Sequence, residues 1–364
     1  MKILHVHKPS SPGKGNPFVA ALVDGLRRRG HDVTMSLETF WSGEGDWDVV
    51  HFHWPKVLFG ARWESVTDED VARFGRLLSS FRARGARIVY TRHNAVQHYG
   101  DAATGLNRIY GILEKESDAV VHMGRFSRDE LVSRFGEGDV ARHFVVPHPV
   151  YPFFSRSMGK GVARDRLGLP GNRRIVLSFG AFRAHEEREM VFRACREVGA
   201  ADLMLVAPRF FKGPVWRGGV RSSWREWRYR RSFAAPWARY GATHVLEEDI
   251  PAYFTAADVV FIQRLSILNS GNLPMGFYYG KPVLGPAVGD VGEILGETDN
   301  PSFDPGNAES VATALRAALA AVDGPLGAAN RAKADAEWNL EKTIDLLENV
   351  YATLLTAQKK GNNP

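Results

Sequence analysis

The chain has 364 residues, 44% hydrophobic and 24% charged, which is the balance of a folded globular protein long enough for two ordinary α/β domains. Its 47 basic and 41 acidic residues leave a net charge of +6, which suits a nucleotide, an anionic membrane or a nucleic acid alike. A single cysteine, Cys195, excludes an intramolecular disulfide framework, and no apolar run reaches the length of a membrane span. The opening MKILHVH lacks the apolar stretch and cleavage site of a signal peptide, so a cytosolic location is expected.

Alternating periodicities then run along the chain. Lys2 to His7 reads as a buried strand, followed by a Gly/Pro loop, an amphipathic helix from Phe18 to Arg29, a stop at Gly30 and a strand from Asp32 to Leu37. Further strands are expected at 48–54, 86–91, 118–123 and 143–149, with helices at 68–84 and 125–135. Residues 151–173 carry Pro, Gly, Ser and clustered basic residues without a clean period, as a linker does. A second series follows, with strands at 174–180, 201–208, 243–249, 257–263 and 281–286 and helices at 186–198 and after Ser270. Helical segments at 308–322 and 327–355 close the chain. Two α/β series predict two doubly wound parallel sheets facing a cleft, with ligands outside the carboxyl ends of the strands.

Phe210 to Tyr240 mixes Trp216, Trp224, Trp227 and Trp237 with arginines. Such a segment fits either an elaborated surface helix whose tryptophans pack on the domain or a surface that stacks on bases and holds phosphates.

Several residues fall where chemistry is expected. Gly13 and Gly15 lie in the loop between the first strand and first helix, where a backbone can approach a ligand closely, although the spacing is neither a dinucleotide fingerprint nor a P-loop. Ser270, Gly271 and Asn272 sit at a strand-to-helix turn whose free N–H groups would suit a diphosphate. Arg183 and Arg264 follow two strand ends and could pair with phosphate oxygens. Histidines recur at strand ends of the first half: His5 and His7, His51 and His53, then His93 and His98. Six histidines near one edge invite a zinc reading, but neither an HExxH pattern nor paired cysteines support it, and no metal site is expected. These histidines are candidates to hydrogen-bond sugar hydroxyls or to take a proton, and Asp101, Glu64 and Asp46 are the alternative proton acceptors.

Taken together, VVHFHWP (49–55), TRHNAVQH (91–98), SDAVVHMGRFSRDEL (117–131), VVPHPVY (145–151), LSFGAFRAHEE (177–187) and QRLSILNSGNLPMGFYYGKPVLGP (263–286), in that order, resemble the bacterial GT-B glycosyltransferases of the group 1 type. The likeness is greatest to an exopolysaccharide and capsule branch, and EWNLEKTIDLLENVY (337–351) resembles the family's closing helix. The resemblance implies an acceptor-binding domain at 1–155, a nucleotide-sugar domain at 156–335 and a helix at 336–364 that returns to the first. It places diphosphate binding on Arg183 and the Ser270–Asn272 turn and His93 at the sugar, with Asp101 the other catalytic candidate. His53, His98, Gly13 and Gly15 would then line the acceptor side. It further implies a UDP- or GDP-sugar co-substrate, no cofactor or metal, a glycan or lipid-linked acceptor, contact with an anionic membrane face, and no nucleic acid. Other readings are an epimerase or phosphorylase on the same scaffold and, further off, a single-strand binder. Two positions depart from the pattern: Glu186 stands where relatives carry a lysine, and Ser270 and Phe277 stand where many retaining relatives carry glutamates. The second phosphate cation is therefore missing or supplied from elsewhere, with Arg264 a candidate.

Overall fold

The computed structural model describes residues 1–9, 17–94, 104–213 and 220–361. The chain divides into two compact units, one of Met1–Tyr151 with Trp338–Pro364 and the other of Pro152–Glu337.

In the first unit the strands are β1 (Lys2–Val6), β2 (Asp32–Met35), β3 (Val49–Phe52), β4 (Arg87–Thr91), β5 (Ala119–His122) and β6 (His143–Val145). They form one sheet in the order β2-β1-β3-β4-β5-β6, with every pairing parallel. Strands β3 and β5 are buried at every position, as expected of a parallel sheet covered on both faces. The covering helices are α1 (Phe18–Arg28), the short α2 (Glu38–Ser42), α3 (Asp68–Ala83), α4 (Gly105–Glu116) and α5 (Arg125–Phe135). Helix α3 begins in a capping box, with the Thr67 hydroxyl accepting from Asp70 N and the Asp70 carboxylate accepting from Thr67 N.

The second unit carries α6 (Lys160–Leu167), β7 (Arg174–Leu177), α7 (His185–Val198), β8 (Leu203–Ala207), α8 (Val220–Ser232), β9 (Ala238–Tyr240), α9 (Ile250–Ala256) and β10 (Val259–Phe261). It continues with α10 (Asn272–Tyr278), β11 (Val283–Pro286), α11 (Gly289–Glu297), β12 (Ser302–Phe303), α12 (Ala308–Ala320) and α13 (Leu326–Glu337). Its sheet is again all parallel, in the order β12-β11-β10-β7-β8-β9. The last helix, α14 (Leu340–Gly361), belongs to the first unit, where Val150 N donates to Trp338 O and the Arg29 guanidinium pairs with Glu341 and Glu348.

Three expectations need correction. Residues 243–249 form no strand: the place beside β8 is filled by Ala238–Tyr240, with the Tyr240 ring stacked on Phe210 at 4.1 Å. The chain turns directly afterwards at Gly241, where a Cβ would lie 2.2 Å from Pro208 O. The stretch expected to be a linker contains α6, whose Arg164 is buried and donates to Asp258 at 2.7 Å. The closing helical segment is two helices, broken at Trp338 and Asn339, where the chain pairs with Val150.

Candidate functional site

In an open parallel sheet, ligands bind at the carboxyl edge where the strand order reverses. In the second unit that point lies between β7 and β10, and the loops following these two strands carry the candidate residues. The loop after β7 is held on several sides. Gln263 Nε2 donates to Phe179 O at 3.0 Å, and Asn272 Nδ2 donates to the same oxygen at 2.8 Å. Arg264 Nη2 donates to Ala181 O at 3.0 Å and Nη1 to Glu187 Oε2 at 3.0 Å. Glu187, buried in the first turn of α7, also accepts from Arg183 N at 2.6 Å. Gly180, at φ +90°, occupies the left-handed region that a side chain would strain.

This bracing presents Arg183 to solvent, and its guanidinium makes no ion pair or hydrogen bond among the described residues. Beside it, the exposed Lys212 ammonium donates to Arg183 O at 3.4 Å. Arg264 differs. Burial, opposed by the Glu187 charge and reinforced by Arg183, brings its pKa down to about 10, so it stays charged at neutral pH with its donors turned to Glu187 and to backbone. It therefore braces the loop, while Lys212, which has no motif to mark it in the sequence, stands beside Arg183. Glu186 is exposed in the first turn of α7.

The turn into α10 departs from expectation as well. Asn272 N donates to Ser270 Oγ at 3.3 Å, Leu273 N donates to Ser270 O at 3.1 Å, and Pro274 has no N–H. The row of free N–H groups expected there is largely consumed by the turn itself. Gly271 is exposed beside it, and Phe277 is fully buried. The Phe179 ring meets Tyr253 at 5.9 Å, and Tyr253 in turn lines a cavity of about 350 Å³ with Val206, Pro208, Tyr240, Thr243 and Leu246. That volume falls in the range of small-molecule pockets.

In the first unit the strand order reverses around β1 and β3, and the histidines gather there. His5 and His51 face each other in register, and His53 follows β3. His5 Nδ1 and His53 Nε2 share a hydrogen bond at 2.9 Å, and His53 Nδ1 lies 3.4 Å from His93 Nε2. His51 is bound at both nitrogens, to the Tyr351 hydroxyl of α14 at 2.6 Å and to Thr91 Oγ1 at 2.7 Å. His93, just past β4, lies flat on Trp54 with centroids 3.7 Å apart and meets the edge of Phe18 at 4.9 Å. Burial holds all four rings neutral, driving His5 down to about 3 and His51, His53 and His93 well below the ordinary value.

His53, expected on the acceptor side, is 1% exposed, with one nitrogen bonded to His5 and the other facing His93, which is itself 5% exposed. Nitrogens of His5, His51 and His53 lie within 4.8 Å of one another, a spacing three metal ligands could have. Both nitrogens of His51 are committed to Tyr351 and Thr91, and the bond between His5 and His53 takes one nitrogen from each of those rings. Asp46 precedes β3, at the opposite edge of the sheet, and pairs with Arg84 at 3.7 Å, which removes it as a proton acceptor at this site. Glu64 is exposed in a 3₁₀ turn. Asp101, His98, Gly13 and Gly15 lie outside the described residues.

Arg92, which the sequence reading passed over, is fully buried beside His93 and pairs with the equally buried Glu114 at 3.0 Å and with Glu130 at 2.6 Å. A charged TRH triplet at a strand end was its only mark in the sequence.

No protein-family model matches the sequence, and no curated protein matches it. Solved structures do. Sucrose-phosphate synthase from Thermosynechococcus elongatus superimposes with a TM-score of 0.72 at 16% identity, over 98% of this chain and 100% of that one. A glycosyltransferase from Rickettsia africae gives 0.71 at 14%, over 97% and 98%. HepE of Anabaena in complex with UDP-glucose gives 0.68 at 13%, over 98% and 100%. The chain has the GT-B fold. Its two Rossmann-like units are those expected from the alternating sequence pattern, and at these identities the likeness speaks for the fold alone. Among the described residues no helix is long and apolar enough to cross a membrane.

Proposed function

We propose that this GT-B chain is a glycosyltransferase whose second unit holds a nucleoside-diphosphate sugar. The observation that carries the reading is the Arg183 loop, braced by Glu187, Arg264, Gln263 and Asn272 so that a guanidinium stands unpaired at the strand-order reversal. Arg183 and Lys212 supply the positive charge that a departing diphosphate requires. In this reading the cavity behind Tyr253, lined also by Thr243, His244 and Leu246, takes the nucleobase. Crystals of HepE with UDP and with UDP-glucose, in the same fold, support a uridine donor.

In the first unit, His93 is the residue that the motif resemblance assigns to sugar recognition; it is 5% exposed, set between Trp54, Phe18 and His53. Burial keeps its imidazole neutral, so in this reading it adds no positive charge beside the developing oxocarbenium character. The acceptor in this reading is a glycan or lipid-linked glycan of a surface polysaccharide, as the motif resemblance implies.

The test is a calorimetric titration of the protein with UDP, GDP and a non-nucleotide diphosphate. One nucleoside diphosphate should bind, Arg183→Ala should weaken it at least about tenfold, and Leu246→Trp should weaken it by crowding the base. Equal, weak binding of all three, indifferent to both substitutions, would sink the proposal.

A further inference from the structure

The second unit carries an exposed helical face that the donor site does not use. Helix α8 turns Ser223 inward, and Phe233, directly after its last residue, is buried with it. Arg230 is tied down, donating to Glu226 at 2.7 Å and to Gly213 O at 2.6 Å. The opposite face carries Arg221, Trp224, Arg225, Trp227, Arg228 and Arg231, all exposed. Trp224 and Trp227 are 54% and 45% exposed, an unusual state for the residue with the largest apolar surface. None of the four arginines on this face has a carboxylate partner among the described residues.

Clustered arginines of the first unit are paired with carboxylates. Arg28 and Arg29 pair with Glu341, and Arg29 also with Glu348. Arg82 and Arg87 pair with Asp118, and Arg84 with Asp46. The four exposed arginines of α8 have no such carboxylate among the described residues.

We infer that the Trp224/Trp227 face of α8 is a docking surface for an anionic bilayer. A helix that interleaves indoles with guanidiniums on its solvent side matches the interfacial region of a membrane, where indoles sit among headgroups and cations meet lipid phosphates. The competing occupant, a single nucleic-acid strand, needs open ring faces in a groove. Here the Arg228 guanidinium lies 4.8 Å over the Trp224 ring and Arg231 lies 5.3 Å over Trp227, so one face of each indole is already covered, on a convex helix. Indole edges and the outer face of each guanidinium remain for headgroups. The surface would hold the enzyme where a lipid-linked acceptor resides, but the inference rests on α8 alone and not on the reaction assigned to the donor site.

The experiment is co-sedimentation of the full chain with vesicles of phosphatidylcholine alone and with 30% phosphatidylglycerol. A parallel arm measures binding of a fluorescent oligothymidylate. The expected result is partitioning onto the anionic vesicles only, reduced about tenfold in Trp224→Ser/Trp227→Ser and in Arg225→Gln/Arg228→Gln, and falling with salt. Both variants alter only exposed side chains, so unchanged melting should accompany the loss. Partitioning that is absent, equal on neutral vesicles or unchanged in both variants would overturn the inference. So would tight oligothymidylate binding that both variants abolish. Nucleotide titration of the same variants keeps the two proposals apart, because donor binding should be untouched.

Discussion

His5 and His53 share a 2.9 Å hydrogen bond in the buried core of the first unit, and His53 then reaches toward His93 at 3.4 Å. Between neutral imidazoles such a bond needs one protonated and one bare nitrogen on each ring, so the tautomer of one ring constrains the next. His5 Nε2 finds no partner among the described residues. The pair is therefore the blind end of a line of imidazoles, and whichever tautomer His5 takes is passed to His93.

Acid should undo this unit in a defined window. Burial lowers His5 to about 3 and His148 to about 4, from an ordinary value of 6.5. The unfolded chain therefore binds more protons than the folded chain between those limits, and stability falls as pH drops from about 6.5 toward 4, by about 1.4 kcal/mol per pH unit for each such histidine. Melting temperatures measured across this range should fall steeply. His53→Gln, which cannot take the proton, should flatten the slope by about one histidine's share. An unchanged slope would place the titrating groups elsewhere.

Removing one member of the buried pair next to His93 should be costly. Arg92→Met leaves the Glu114 charge at 0% exposure with only the partly exposed Arg134, 3.3 Å away. The expected loss is about 3 kcal/mol, the low end for an orphaned buried charge because Arg134 remains. Urea unfolding measures it, and a change below about 1 kcal/mol would mean that water or Arg134 fully replaces the lost partner.

The Glu187 carboxylate joins the Arg183 backbone to Arg264. Glu187→Gln keeps an acceptor for the Arg183 amide but removes the charge facing Arg264, while Glu187→Ala removes both. Donor KM should rise several-fold in the first and about tenfold or more in the second, with kcat less affected, because the loop rather than the reacting atoms is disturbed. A fall confined to kcat would assign Glu187 a direct part in the chemistry.

If Arg183 and Lys212 neutralise the departing diphosphate, the transfer needs no divalent ion. Activity should survive dialysis against EDTA and fall by about a hundredfold in Arg183→Ala. Activity that EDTA abolishes and Mg²⁺ or Mn²⁺ restores would shift that role to a metal.

The fold was legible because the central strands of both parallel sheets, β3 and β10 among them, are buried apolar runs, and helices with an apolar stripe, such as α1 and α7, alternate with the strands. The positions of Arg183 and His93 in loops after strand ends, beyond β7 and β4, were legible from the apolar runs that precede them. Other features were not. Arg264 reads in the sequence as a second phosphate cation, and only its three-dimensional partners show that its donors are turned to Glu187 and the backbone. The Ser270 turn looks like a nest of free N–H groups until the serine is seen to accept from two of them. Lys212 comes beside Arg183 by the path of the loop after β8, which no local pattern encodes. The short strand at Ala238–Tyr240 was hidden because three residues are too few to show an alternation.

The return of α14 to the first unit has a consequence for assembly during synthesis. The second unit is continuous in sequence and can close on itself once residue 337 has been made. The first unit must wait, with Gly25 of α1 lacking the Ile344 side chain that packs against it and His51 lacking the Tyr351 hydroxyl. The stretch translated first is thus finished last, and until α14 arrives it carries exposed apolar surface that a chaperone would be expected to cover.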